Sequence, residues 1–350
     1  MTESVNVAIL GASGYTGAEL IRLLLRHPHV RIAALTADRK AGQAVGDVFA
    51  QFSGVDLPRL TTIGELEIDA VDLVFCALPH GTTQQVIADL FARKPSLKVV
   101  DLSADFRLAD PAAYEEWYGH PHQALELQQE AVFGLVELNR EAVRAARLVA
   151  NPGCHSTTSI LPIVPLLRER LIHPDQIVIT SATGMSGAGR GAKEEMLFSE
   201  VSEGVHAYGV GRHRHTAELD QEYEKAAGRA ARATFTPMLL PMNRGIYATI
   251  TVTLEAGATA EALHAALATA YWGEPFVQVL PIGKVPHSRH VRGSNNVQIG
   301  VIADRGPDRA IVISTLDNLV KGASGQAVQN MNLVCGFDET EGLGQFALFP

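Results

Sequence analysis

The stretch Val5-Asn6-Val7-Ala8-Ile9-Leu10-Gly11-Ala12-Ser13-Gly14-Tyr15-Thr16-Gly17 decides the fold of this chain. Its opening residues are mostly apolar and half of them β-branched, the pattern of a buried strand, and they break at a glycine. Residues 18–26 follow with Leu20, Leu23 and Leu24 at helical spacing, which predicts strand, glycine turn and helix in that order. A second apolar run, Val30 to Leu35, completes a β-α-β unit of about 30 residues with a right-handed crossover. The turn departs from G-x-G-x-x-G by one inserted residue, yet it stands where a pyrophosphate would bind. Glycines let the backbone approach the phosphates, and the amides and dipole of the helix N-terminus stabilise their charge. Gly11, Ser13, Gly14, Tyr15, Thr16 and Gly17 are therefore candidate dinucleotide contacts.

The second strand ends at Thr36, where an NAD-binding chain usually carries Asp or Glu, and Arg39 and Lys40 follow closely. The missing carboxylate and the two cations favour the extra 2′-phosphate of NADP. Buried strands over 71–77 and 97–102, with a helix from about Thr82 to Arg93 between them, extend the unit into a doubly wound parallel sheet of the Rossmann type. A strand over 147–150 runs into Asn151-Pro152-Gly153, where a domain change is expected.

Beyond that turn the pattern alters. A long helix (155–170), a strand (176–182) and a Gly/Ser loop precede the strands 234–240 and 245–254, which read as an antiparallel pair joined across Pro241–Arg244. An Ala-rich helix (258–271), strands 296–302 and 310–316, and a helical stretch 317–334 rich in small residues complete the chain. The expected class is α/β: a doubly wound parallel sheet in residues 1–150, and a second α+β domain with a mainly antiparallel sheet in 151–316.

Composition agrees with two domains, since 350 residues at 47 % hydrophobic and 19 % charged content suffice for two cores. Twenty-nine Lys and Arg against 38 Asp and Glu give a net charge of −9, which argues against a nucleic-acid or anionic-membrane partner. An anionic substrate then requires a local basic site. No apolar run reaches the roughly 18–20 residues of a membrane span. Met1-Thr2-Glu3-Ser4 leads straight into the first strand without the features of a signal peptide, so the start is expected to belong to the fold. Three cysteines, Cys76, Cys154 and Cys335, have neither metal-ligand spacing nor a paired framework, and point to a reducing cytoplasm and no metal.

Cys154 carries the most chemical information. It lies between a Pro-Gly turn and the polar helix start Ser156-Thr157-Thr158, so its thiol stands at a helix N-terminus, where dipole and free amides favour the nucleophilic thiolate. Cys76, inside an apolar strand, and Cys335 read as core residues. A cysteine acting on an acyl group needs a partner that moves protons. Arg212-His213-Arg214-His215 offers two imidazoles and two guanidinium groups. His155 is a rival, but adjacent helical residues point about 100° apart, and it ranks below the cluster. His27, His29, His120 and His122 read as surface residues.

Two loops read as anion cradles. Ser186-Gly187-Ala188-Gly189-Arg190 follows a strand with Lys193 one turn on, and Asp101-Leu102-Ser103-Ala104-Asp105-Phe106-Arg107 ends a parallel strand at the carboxyl edge. Arg107 there either reaches a phosphate or pairs with Asp105 at the surface.

Together these segments resemble N-acetyl-γ-glutamyl-phosphate reductase, a relative of aspartate-semialdehyde dehydrogenase, over nearly the whole chain. The resemblance rests on GASGYTGAEL (11–20), ALPHG (77–81), DLSADFRL (101–108), NPGC (151–154), SGAGR (186–190), HRHTAEL (213–219), RGI (244–246) and DNLVKGASGQAVQNMNL (317–333). It implies that Cys154 attacks an acyl phosphate and that His215 is the acid/base. Arg107, Arg190 and His213 would hold substrate, with Ser186 and Gly187 added to the NADP contacts. It further implies arginine biosynthesis, a homodimer or homotetramer built through the second domain, and a C-terminal segment, 317–350, returning to the nucleotide domain. The chain departs from the family pattern at His155, where an aromatic residue is common after the cysteine, and at Val136 and Ala217, where proline is usual. Aspartyl phosphate and a carrier-linked aminoadipyl phosphate remain alternative substrates for the same chemistry, and an NADP-sensing binding protein is the alternative outside catalysis.

Overall fold

Strand β1 (Val5–Leu10) is buried over its last four residues, as an apolar run covered on both faces of a sheet should be. Around it β2 (Val30–Thr36), β3 (Leu60–Thr61), β4 (Leu73–Cys76), β5 (Lys98–Asp101), β6 (Val132–Phe133) and β7 (Leu148–Ala150) form one sheet of order β3-β2-β1-β4-β5-β7-β6, with every pairing parallel. The order reverses between β1 and β4, the switch point at whose carboxyl end doubly wound sheets bind ligands. The computed structural model describes residues 4–349; Met1–Glu3, expected to belong to the fold, and Pro350, the end of the expected returning segment, lie outside the described residues.

The chain divides into two compact units. The first comprises the residues up to Pro152 together with Ala323–Gly344, and the second Gly153–Gly322 with the tail from Gln345. The sequence reading draws its boundaries at 150/151 and 316/317; the compact units divide at 152/153, 322/323 and 344/345.

The helix Gly325–Cys335 is buried from Gly325 to Val334, including four amide side chains that a sequence pattern alone would leave in water. Burial of an amide is tolerated only with partners. Gln326 and Asn330 both donate to the Gly134 carbonyl at 2.9 Å, and Asn332 Oδ1 meets His27 Nε2 at 2.9 Å. Gly134 has to be glycine, because a Cβ there would lie 2.5 Å from Asn330 Nδ2. His27 and His122, expected at the surface, are buried, and the reason is the same: each ring has found a buried polar partner, Asn332 for His27 and the Asp105 carbonyl for His122.

In the second unit β8 (Ile172–Gly184), β9 (His206–Ala207), β10 (Ala233–Leu240), β11 (Ile246–Leu254), β12 (Val277–Val279), β13 (Val297–Ala303) and β14 (Arg309–Leu316) make a mixed sheet of order β12-β13-β14-β11-β8-β10-β9. Four of its pairings are antiparallel; β8 with β10 and β12 with β13 are parallel. The expected hairpin of 234–240 with 245–254 does not form. The 13-residue β8 lies between the two strands, parallel to β10 and antiparallel to β11.

The sheet packs on the helix Cys154–Arg168, which is buried from His155 to Leu167 and contains Pro162 and Pro165. A proline inside a helix removes one i→i−4 donor. The carbonyl that Pro165 leaves without an amide is that of Leu161, and the buried Tyr271 hydroxyl donates to it. Tyr271→Phe should therefore destabilise the protein by about 1–3 kcal/mol through an orphaned buried carbonyl, measured by urea denaturation. An unchanged midpoint would show that the helix tolerates the loss.

Candidate active site

In the first unit the glycine turn has the geometry its sequence predicts. Gly11 takes φ +79°, and a Cβ there would sit 2.3 Å from the Ala77 carbonyl at the end of β4, so only glycine fits. Gly14 caps the helix Tyr15–Leu24 without a side chain, leaving its N-terminus open. Gly17 lets that helix press against the Gly11–Ala12 backbone. Ser13 and Thr16 lie in this turn and first helical turn.

Thr36 ends β2 with its hydroxyl buried and without a hydrogen-bond partner. Arg39 and Lys40, both exposed, occupy the short 3-10 turn Asp38–Lys40 that follows. A buried hydroxyl without a hydrogen-bond partner thus stands at the strand end, with two exposed cations and one exposed carboxylate beyond it.

The loop after β5 holds a polar network whose side chains, Asp101, Ser103, Asp105 and Arg107, are buried. Asp105 accepts from the Gly81 amide at 2.7 Å and from the Thr83 amide at 3.0 Å, while Asp101 accepts from the Ser103 amide and hydroxyl. Burial pushes Asp101 up to about 7 against the pull of those bonds. Arg107 is also buried: its Nε donates to the Asn151 carbonyl at 2.8 Å and an Nη to the Leu102 carbonyl at 3.0 Å. The surface pair with Asp105 is therefore not what is found, because the carboxylate serves the backbone of residues 81–83 and the guanidinium serves carbonyls.

In the second unit Cys154 is the first residue of its helix, after Gly153 in extended conformation. The Gly153 amide donates to Glu218 at 2.9 Å. His215 opens the helix His215–Ala227 and lies flat against the same glycine: a Cβ on Gly153 would fall 2.4 Å from His215 Nε2. Glu218, fully buried one turn on, stands 4.0 Å from that nitrogen. Gly322 closes the other side, where a Cβ would meet Cys154 Cβ at 2.7 Å. Two glycines thus hold the space around the thiol, one for an imidazole and one for the backbone.

His213 sits edge-on to His215 at 4.7 Å between ring centroids. Its Nδ1 accepts from the His215 amide at 3.2 Å, and burial, followed by the Arg214 charge, draws it down to about 4. At neutral pH it is an uncharged ring whose proton is on Nε2. His155, fully buried, is drawn down to about 3 by burial and then by His213. His155, His213 and His215 form one cluster of rings with Tyr208 and Phe235.

The 186–190 loop also belongs to the second unit. Ser186 Oγ donates to the Asn243 carbonyl and accepts from Asn318 at 2.9 Å, and Gly187 and Arg190 are exposed. Asn318 in turn receives the Gly245 amide at 2.8 Å, and the buried Asp317 beside it receives the Gly293 amide at 2.7 Å with Arg244 at 3.5 Å. Of the sequence candidates, Cys154, His215 and His213 are brought together; Arg107 and the residues 11–40 lie in the first unit.

Glu218 and Tyr208 were not foreseen. Glu218 carries a signal, its i+3 spacing from His215, whereas nothing local marks Tyr208. Cys76 is fully buried and Cys335 partly so; burial pushes the first thiol up and the second to about 11. Among the described residues no helix is long and apolar enough to cross a membrane, and no cluster of His, Cys, Asp and Glu is arranged to hold a metal ion.

Comparison with known proteins agrees with this division. Residues 6–146 match the family model described as semialdehyde dehydrogenase, NAD binding domain, and residues 154–318 the one described as semialdehyde dehydrogenase, dimerisation domain. The chain is 64 % identical to the N-acetyl-gamma-glutamyl-phosphate reductase of Afipia carboxidovorans, over 99 % of either sequence. It is 60 % identical to that of Rhodospirillum rubrum over the whole of both. Among solved structures, aspartate semialdehyde dehydrogenase II from Vibrio cholerae has the same fold, with a TM-score of 0.71 at 18 % identity, over 95 % of this chain and 98 % of that one. The chain belongs to the N-acetyl-gamma-glutamyl-phosphate reductase family of semialdehyde dehydrogenases.

Proposed function

We propose that this chain reduces N-acetyl-γ-glutamyl phosphate with NADPH, releasing phosphate and N-acetylglutamate semialdehyde, as a step of arginine biosynthesis in the cytoplasm. The observation that carries the reading is Cys154 at a helix N-terminus with the His215 ring laid on the preceding glycine, in a chain so similar to enzymes of that name. The Cys154 thiolate attacks the acyl carbon, the carbon–oxygen bond to phosphate breaks, and a thioester to Cys154 remains. Amides of the first helical turn face the negative charge that develops on the carbonyl oxygen. NADPH, when bound, supplies the hydride that brings the acyl group to the aldehyde level.

His215 is the acid/base: it gives a proton to the developing oxyanion and takes one as the thiol leaves. Glu218 orients the ring and provides a carboxylate for its positive charge at 4.0 Å. Arg190 and neutral His213 hold phosphate and carboxylate oxygens of the substrate. Arg107, engaged with two carbonyls, acts through the 101–107 loop it anchors. Gly11, Ser13, Gly14, Tyr15, Thr16 and Gly17 would receive the pyrophosphate, Thr36 the ribose, and Arg39 and Lys40 the 2′-phosphate of NADP. The match to a dimerisation domain supports a homo-oligomer built through the second unit.

The reaction run backwards tests the reading. NADP reduction with N-acetylglutamate semialdehyde should require inorganic phosphate and should exceed the rate with aspartate semialdehyde; phosphate independence or equal rates would overturn it. Cys154→Ser should lower kcat by more than about 10³-fold, because the nucleophile acts only in the chemical step. Replacing Arg39 and Lys40 together by Ala should raise KM for NADPH roughly tenfold or more with kcat retained, and leave KM for NADH unchanged. Gly153→Ala should lower kcat strongly in a protein that still folds, since His215 has to move; wild-type turnover would show that the ring contact is dispensable.

A further inference from the structure

His155 follows the nucleophile directly and is not part of the chemistry above. Its ring is fully buried, and both of its nitrogens are engaged: Nδ1 lies 2.7 Å from Ser181 Oγ on β8, and Nε2 lies 2.9 Å from the Tyr208 hydroxyl. A neutral imidazole has one donor and one acceptor, so the question is which nitrogen carries the proton. Ser181 answers it. Its hydroxyl is fully buried, and His155 Nδ1 is its one hydrogen-bond partner among the described residues.

If Nδ1 held the proton, the ring would donate to Ser181 and leave the serine's own proton buried without an acceptor. If Ser181 donates to Nδ1, its proton is satisfied and only a lone pair goes unused, which is the cheaper omission. The imidazole proton is then on Nε2 and is donated to the Tyr208 oxygen. Tyr208 accepts there, and its own O–H has no acceptor among the described residues. The Tyr208 backbone amide donates to the Pro237 carbonyl at 3.1 Å, and its ring has the His155 and His213 rings at 6.3 and 5.2 Å between centroids.

Tyr208 is half-buried and stands close enough to Cys154 for the thiolate to add to burial in pushing its hydroxyl up, so the phenol keeps its proton. Charging of the histidine, which would give both nitrogens protons, is opposed by burial and by His213. Ser181, His155 and Tyr208 thus make a chain of three hydrogen-bonding groups with a single direction, running from the sheet to the tyrosine hydroxyl.

We propose that His155 is a positioning residue that fixes Tyr208 as a hydrogen-bond donor to an oxygen of the acyl-phosphate substrate held at Cys154. The proposal rests on the reaction assigned above, and identifies a group that recognises its substrate. An aliphatic or phenyl side chain after the cysteine would leave the Tyr208 oxygen without its donor and the phenol free to rotate away.

The full-length protein, labelled with 15N-histidine, should show His155 as the Nε2–H tautomer in its nitrogen shifts; an Nδ1–H tautomer or a charged ring overturns the directional chain. In the phosphate-dependent reverse assay, Tyr208→Phe and His155→Leu should each lower kcat/KM on the order of tenfold, and the double variant should lose no more than either alone. His155→Gln, whose amide can still donate towards Tyr208, should recover much of the loss, which a purely structural role would not predict. Tyr208→Phe changes a half-buried loop residue, so it tests the donor even if the helix variants fold poorly. Additive losses, or wild-type kcat/KM in Tyr208→Phe, overturn the proposal while the reaction stands. Absence of phosphate-dependent turnover in the wild type overturns the reaction itself, and the proposal with it.

Discussion

The 2.9 Å hydrogen bond from the Gly153 amide to the Glu218 carboxylate is the interaction on which the arrangement around Cys154 depends. It ties the first turn of one helix to the first turn of another, and does so through groups that are both buried. A carboxylate without partners at such a depth would be strongly destabilising, and a helix N-terminus always has amides to offer. The two needs cancel, and the same carboxylate stands beside His215. Gly153 completes the arrangement by having no side chain, so the imidazole rests directly on the backbone that precedes the thiol. The Cys154 thiol and the His215 ring, the nucleophile and acid/base of the proposed reaction, are thereby set by one contact between helix ends instead of by loops.

The second unit is built to keep that helix in place. The helix Cys154–Arg168, polar in its first turns and apolar from Ile160 to Leu167, is covered by the sheet and by the helices His215–Ala227 and Ala260–Ala270. Two internal prolines would ordinarily break such an element. Here the surrounding structure tolerates them, and the Tyr271 hydroxyl replaces the donor that Pro165 lacks. Tyr223 also donates to a carbonyl of this helix, that of Ser159, at 3.0 Å. The first unit uses the complementary device, amide side chains on a buried helix that satisfy carbonyls of neighbouring loops.

Local pattern made the first sheet legible, because strand period, glycine turn and helical spacing all occur within residues 5–35 and agree with one another. Cys154 was legible for the same reason: turn and helix start adjoin it in sequence. Strand order in the second sheet was not. The run through Pro241–Arg244 has the composition of a hairpin turn, and the insertion of β8 between its flanking strands depends on a residue range some 60 positions upstream. His155 shows a subtler limit. Its rank below the Arg212–His215 cluster followed from the rotation between neighbouring helical residues, and that rotation does direct it elsewhere, towards Ser181. What the spacing could not reveal is that the same direction leads to Tyr208. Buried Glu218, His27 and His122 were misjudged or missed because polarity in a sequence does not disclose whether a partner will be found.

The division of the chain also has a consequence for how it is made. The second unit is almost wholly one continuous stretch, Gly153–Gly322, whereas the first lacks its buried helix until Ala323–Gly344 has been synthesised. A ribosome therefore releases the seven strands of the first sheet long before the element that covers them. The later-translated unit has nearly all its residues available first. Vectorial synthesis and order of completion run in opposite directions in this protein, and the interval in which the parallel sheet waits is when chaperones would meet it.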